Sequence, residues 1–132
     1  MAKKSKSELA RIAERALDRR YGYGVSTSEK GFGWRASVAS VEEVMALVDR
    51  GVTDIERLSD AAHRGWARTA RLFAKDPNAF PESEELRKRG ELEKKIAQRR
   101  KLAAQSYASL PNDEKEKDRV LARAVLDALT GR

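Results

Sequence analysis

Thr53-Asp54-Ile55-Glu56-Arg57-Leu58-Ser59-Asp60-Ala61-Ala62-His63-Arg64-Gly65-Trp66-Ala67-Arg68-Thr69-Ala70-Arg71-Leu72-Phe73-Ala74-Lys75-Asp76-Pro77 reads as one long amphipathic helix. Thr53 to Glu56 has the pattern of a capping box. Ile55, Leu58, Ala62, Trp66, Ala70 and Phe73 then recur at helical spacing on one stripe, and Asp76-Pro77 ends the run because the residue before proline leaves the helical region. A helix with so wide an apolar stripe needs partners, and the flanking sequence supplies them.

Upstream, Ser5 or Ser7 caps a first helix whose apolar face is Leu9, Ile12, Ala13, Ala16 and Leu17, ending near Arg20. Tyr21-Gly22-Tyr23-Gly24 follows. Residues 21–40 read as a loop, an extended arm or a short hairpin, since aromatic side chains alternate with small residues there. Tyr21, Tyr23, Phe32 and Trp34 are costly to leave exposed, so this arm is expected to pack on a core, a ligand or another chain. Ser40-Val41-Glu42-Glu43 has a second capping-box pattern, with Val44, Leu47 and Val48 continuing a short helix to Arg50-Gly51.

Downstream, Ser83-Glu84-Glu85 begins a charged helical stretch toward Ser109 with Gly90 as a break, and only Leu92, Ile96 and Ala97 offer apolar contact between Arg87 and Lys101. It reads as a projecting, solvated helix or a mobile insertion over about 82–102. Pro111 opens a last helix with Asp113 and Glu114 in its first turn, Val120, Leu121, Ala124, Val125 and Leu129 facing inward, and Thr130-Gly131 at its end. The expected fold is therefore mostly α: a small helical domain of about five helices with an aromatic, glycine-rich N-terminal arm or short hairpin. Residues 1–40 form the first helix and arm, and residues 41–132 the helical domain.

Within 132 residues, 37% are charged and no cysteine occurs. Disulfides, thiolate zinc sites and cysteine nucleophiles are thereby excluded. The start, Met1 to Ser7, is basic but lacks the apolar run of a signal peptide, and nothing reaches membrane-spanning length, so a cytoplasmic protein with no membrane partner is expected. The balance of 28 basic and 21 acidic residues gives a net charge of +7. That surplus favours anions, or serves solubility alone.

Catalytic constellations are lacking. His63 is the sole histidine, with no nucleophile and orienting group beside it, and one histidine among scattered carboxylates is a poor metal site. It reads as a half-buried, hydrogen-bonded side chain or as a ligand contact. The glycines near Tyr21 and Phe32 form neither a dinucleotide fingerprint nor a P-loop. Arg64, Arg68 and Arg71 recur near Trp66, either as the solvated flank of a core indole or as a phosphate grip beside a stacking ring. Arg87, Lys88, Arg89, Lys94, Lys95, Arg99, Arg100 and Lys101 form a second basic run, diluted by Glu84, Glu85, Glu91 and Glu93. It is a solvated face or a track for a nucleic-acid backbone.

Ala62-His63-Arg64-Gly65-Trp66 and Tyr107-Ala108-Ser109-Leu110-Pro111-Asn112-Asp113-Glu114-Lys115-Glu116-Lys117-Asp118-Arg119 resemble the RyR domain, a module named for repeats in ryanodine receptors that also occurs in bacterial and phage proteins. The family's Y-x-x-L-P-x-x-x-K-x-x-D-R pattern is kept from Tyr107 to Arg119. Its G-W-x-Y-G and H-P-x-L-x-P segments are missing between Trp66 and Tyr107, where the charged stretch stands instead. The resemblance implies a non-catalytic module that binds a partner or ligand, and similar bacterial domains accompany defence systems and are linked to sensing nucleotide-like molecules.

On the residues themselves, Tyr107 and Leu110 are expected to pack near Trp66, and Asp118-Arg119 to tie the last helix to a neighbour. The leading expectation is a non-enzymatic binding protein with no cofactor, recognising an anionic nucleotide-type small molecule through His63, Arg64, Trp66, Arg68, Tyr107 and Arg119, with Tyr21, Tyr23 and Trp34 from the arm, in a sensing or sequestration role and in a possible homo-oligomer. The alternatives are nucleic-acid binding through residues 87–101 and the basic start, and a protein-interaction or inhibitory module docking through the aromatic arm.

Overall fold

The computed structural model describes residues 4–131; the first three residues of the basic start, and residue 132, lie outside them. Six α-helices and two short 3₁₀ turns form among the described residues, with no strand, so the chain is mostly helical but has one helix more than the periodicity suggests. Helix α1, Lys6–Tyr21, is capped by Ser5, whose hydroxyl accepts the Glu8 N–H while the Glu8 carboxylate accepts the Ser5 N–H. It ends at Gly22, in the left-handed region at φ 71°.

The glycine-aromatic segment is neither an arm nor a hairpin. Helix α2, Phe32–Val48, starts eight residues before the apparent capping box and runs unbroken across residues 40 and 41, where the sequence suggests a boundary. Its Phe32 N–H donates to Glu82 Oε1 at 2.7 Å, so the group satisfying this helix end lies far along the chain. Ser40 is no cap: its buried hydroxyl donates to the Ala62 carbonyl of the next helix at 2.8 Å. Phe32 and Trp34 are buried, and the Arg11 guanidinium covers the indole of Trp34 at 4.3 Å.

Helix α3, Ile55–Lys75, is capped by Asp54, one residue after the threonine. Helices α4, Glu82–Lys88, and α5, Leu92–Ala104, turn at Gly90, whose φ is 70°. The charged stretch does not project. Leu92, Ile96 and Ala103 are buried and α5 packs on α3, whereas Ala97 faces solvent. Helix α6, Asn112–Thr130, follows Pro111 and stops at left-handed Gly131.

Two apolar clusters result. Leu9, Trp34, Val41, Val44, Leu58, Leu121 and Val125 join α1, α2, α3 and α6. Phe32, Phe73, Phe80, Leu86, Leu92 and Ile96 join the start of α2 to the end of α3, α4 and α5. No helix among the described residues is long and apolar enough to cross a membrane.

Candidate ligand-binding site

Between the two clusters lies a cavity of about 500 Å³, bounded by α1, α2, α3, α5, α6 and the connection after α1. That volume matches a drug-sized ligand. Its apolar wall includes Leu17, Phe32, Leu102, Leu110 and Leu121; its polar groups come from Glu14, Ser26, His63, Glu114, Lys117 and Asp118.

His63 is held in place by a backbone carbonyl. Its Nε2 lies 2.8 Å from the Gln105 carbonyl oxygen, and since a carbonyl only accepts, Nε2 carries the proton. In the neutral ring Nδ1 then presents a lone pair, and it faces Asp118 Oδ2 at 3.9 Å. The ring is stacked on Trp66, with centroids 6.1 Å apart and planes at 15°, and Phe32 meets the indole edge-on at 6.0 Å.

Burial pushes the Asp118 carboxyl up to about 8, helped by the nearby Glu114 charge and opposed by Lys117. At neutral pH it therefore holds a proton and can donate. The 3.9 Å gap to His63 is too long for a direct hydrogen bond, leaving both groups available to a ligand. Glu14 is buried on the opposite wall, accepting from the Ser26 N–H, the Ser26 hydroxyl and the Ser37 hydroxyl. Lys117 is the one lysine or arginine on the lining among the described residues. Burial pulls its ammonium down, but the hydrogen bond to Glu114 at 3.1 Å, the Glu114 charge and Tyr23 together outweigh this and leave it above its ordinary value. Its Nζ lies 5.8 Å from the ring centre of Tyr23, which in turn stacks on Tyr21 at 5.1 Å.

Of the residues expected at a site, the fold brings His63, Trp66 and Tyr23 to the cavity. Trp34 is withdrawn into the core, so it cannot anchor a docking arm. Arg64 and Arg68 point away: residues two apart on a helix lie about 200° apart, so neither shares a face with Trp66. Arg64 pairs instead with Asp60 at 2.9 Å, and Arg68 with Glu43 at 3.5 Å. Leu110 reaches the Trp66 cavity but Tyr107 does not. The Tyr107 hydroxyl contacts the Glu56 carboxylate at 3.2 Å, and Arg119 grips the same carboxylate with two hydrogen bonds of 2.8 Å. Glu56 stands ten residues before Trp66, about 15 Å along α3. Those Arg119 hydrogen bonds hold Glu56 below the usual carboxylate range, and burial pushes the Tyr107 phenol up. This cluster ties α6 to α3 through Arg119 alone, Asp118 facing the cavity instead, and leaves Arg119 engaged within the protein.

Sequence reasoning missed Glu14, Ser26, Glu114, Lys117 and Asp118 as wall residues. Glu14 reads as a solvated flank of α1, and its partners at positions 26 and 37 carry no local signal. The chain matches no family model, no curated protein and no solved structure.

Proposed function

We propose that this chain is a non-catalytic, RyR-like binding module whose cavity takes the flat heterocyclic half of a nucleotide-type molecule, in a sensing or sequestration role. The observation that carries the reading is the stacked His63–Trp66 pair on a cavity of about 500 Å³ where His63 Nδ1, an acceptor when the ring is neutral, stands beside the protonated carboxyl of Asp118. An acceptor next to a donor matches the mixed donor and acceptor edge of a base, and the rings supply its stacking face. Lys117, the single cation on the lining among the described residues, is the group an attached phosphate would meet beside Tyr23, taking the place of the Glu114 carboxylate that holds it at 3.1 Å. Arg64, Arg68 and Arg71 take no part in it.

Thermal-shift titration with nucleosides, linear nucleotides and cyclic nucleotides tests this. At least one compound is expected to raise the melting temperature in a concentration-dependent manner, and Trp66→Leu to abolish the rise. If none of the series shifts the folded protein, the reading is lost.

A further inference from the structure

On the face of α3 opposite the cavity the chain builds a second recess, and its chemistry is the reverse of the first. A groove of about 520 Å³ runs between α2 and α3, lined by Arg35, Arg68, Arg71 and Lys75 with Glu42 as its one acidic side chain. Arg64, Arg68, Arg71 and Lys75 follow one another at spacings of four, three and four, so they fall within an arc of about 60° and span about 16 Å of helix. Arg71 and Lys75 pair with no carboxylate among the described residues. The Arg35 guanidinium donates to the Ala79 carbonyl at 3.1 Å over the ring of Phe80, which fixes it without neutralising it. Beyond Arg35 a shallower depression continues to Lys30 and Asn78.

We propose that this groove between α2 and α3 binds the phosphodiester backbone of nucleic acid. Arg64 and Arg68 share Asp60 and Glu43, but Arg35, Arg71 and Lys75 stand without a carboxylate partner among the described residues, and such aligned cations suit a regular polyanion. The lining has no aromatic side chain, only the half-exposed Leu72, so base stacking is lacking and binding is blind to sequence. The basic run of residues 87–101 is the poorer surface. Arg99 is half-buried against Phe32 and Phe73, Lys88 and Arg89 pair with Glu84 and Glu91, and Lys94, Lys95, Arg100 and Lys101 spread around all sides of α5.

The test is fluorescence anisotropy of labelled random-sequence DNA duplex, RNA duplex and single strand against the full chain over a salt series. Weak binding at low salt is expected, with log K falling against log salt at a slope of about −3 to −4 on duplex DNA if four cations reach phosphates. Arg71→Ala with Lys75→Ala, both exposed, is expected to reduce that slope by about 2 and the affinity by roughly tenfold at low salt while leaving the melting temperature in place. Arg71→Gln with Lys75→Gln, which keeps part of each aliphatic stem and a polar end, should read the same way. Absence of binding at low salt overturns the proposal. So does an unchanged slope in both double variants, a loss found instead with Lys94→Ala and Lys95→Ala, or equally tight binding of polyglutamate, which assigns the groove to an acidic protein.

Discussion

Gly65 of α3 faces the backbone of Ala39 in α2 so closely that a Cβ at position 65 would lie 2.4 Å from the Ala39 carbonyl oxygen. The neighbouring Ser40 hydroxyl bonds the Ala62 carbonyl across the same crossing. The cavity opens on one side of this contact and the cationic groove on the other. Helix propensity alone favours alanine over glycine by about 1 kcal/mol, yet here the methyl meets backbone that cannot rotate aside. Gly65→Ala is expected to destabilise by about 1 to 3 kcal/mol, typical of overpacking. Urea denaturation measures it, and a variant as stable as the parent shows that the helices can separate at no cost.

Asp118 gives stability a pH dependence. The folded state holds its proton up to about pH 8, whereas the unfolded chain releases it near 3.8. Protonation therefore favours the folded state: the contribution is complete below 3.8, declines through the interval and is gone above about 8. Each tenfold difference in proton affinity between the two states is worth about 1.4 kcal/mol, so the decline amounts to several kcal/mol. Asp118→Asn, neutral throughout, should flatten this slope and gain on the parent as pH rises. Parallel urea titrations across the interval check it; a parent-to-variant difference independent of pH contradicts it.

Glu82 acts as the cap of a helix fifty positions away, through the 2.7 Å hydrogen bond from Phe32 N–H. Replacing a capping acceptor with alanine costs typically about 1 kcal/mol. Glu82→Ala is expected to lose that much and to speed hydrogen exchange at Phe32 while the amides near Leu58 keep their protection. Unchanged exchange at Phe32 would show that the cap is dispensable.

Arg99 lies 3.7 Å over Phe32 and 4.6 Å over Phe73, and burial draws its pKa down against the opposing pull of Glu82. Its Nη1 is buried without a hydrogen-bond partner. The side chain therefore serves mainly as packing volume, with a desolvated charge at its end. Arg99→Met is expected to be neutral or stabilising, and Arg99→Ala to cost about 2 kcal/mol through lost contact. A methionine variant as damaged as the alanine one would assign the stability to the cation.

The sequence by itself determined what depends on neighbours along the chain. Apolar residues at spacings of three and four mark α1, α3 and α6, a serine at position 5 or 7 marks the start of the first, and Gly22 and Gly131 stop their helices where a left-handed residue is needed. The absence of cysteine and the surplus of positive charge are equally plain. Of the candidate site, His63 and Trp66 were legible because both stand beside or on the stripe of one strongly periodic helix.

Only the tertiary structure decided the rest, because the deciding partners are remote. Phe32 begins α2 since Glu82 satisfies its N–H, and nothing between residues 21 and 40 announces that acceptor. Ser40 looks like a cap until Ala62 claims its hydroxyl. The charged helix α5 packs because Leu92 and Ile96 join the second cluster and aromatic rings of α2 and α3 receive Arg99, a contact that hydropathy scores as a penalty. Periodicity places a side chain on a face of its own helix; which wall of a cavity that face becomes is set by how helices cross, and here they cross where Gly65 admits the backbone of Ala39.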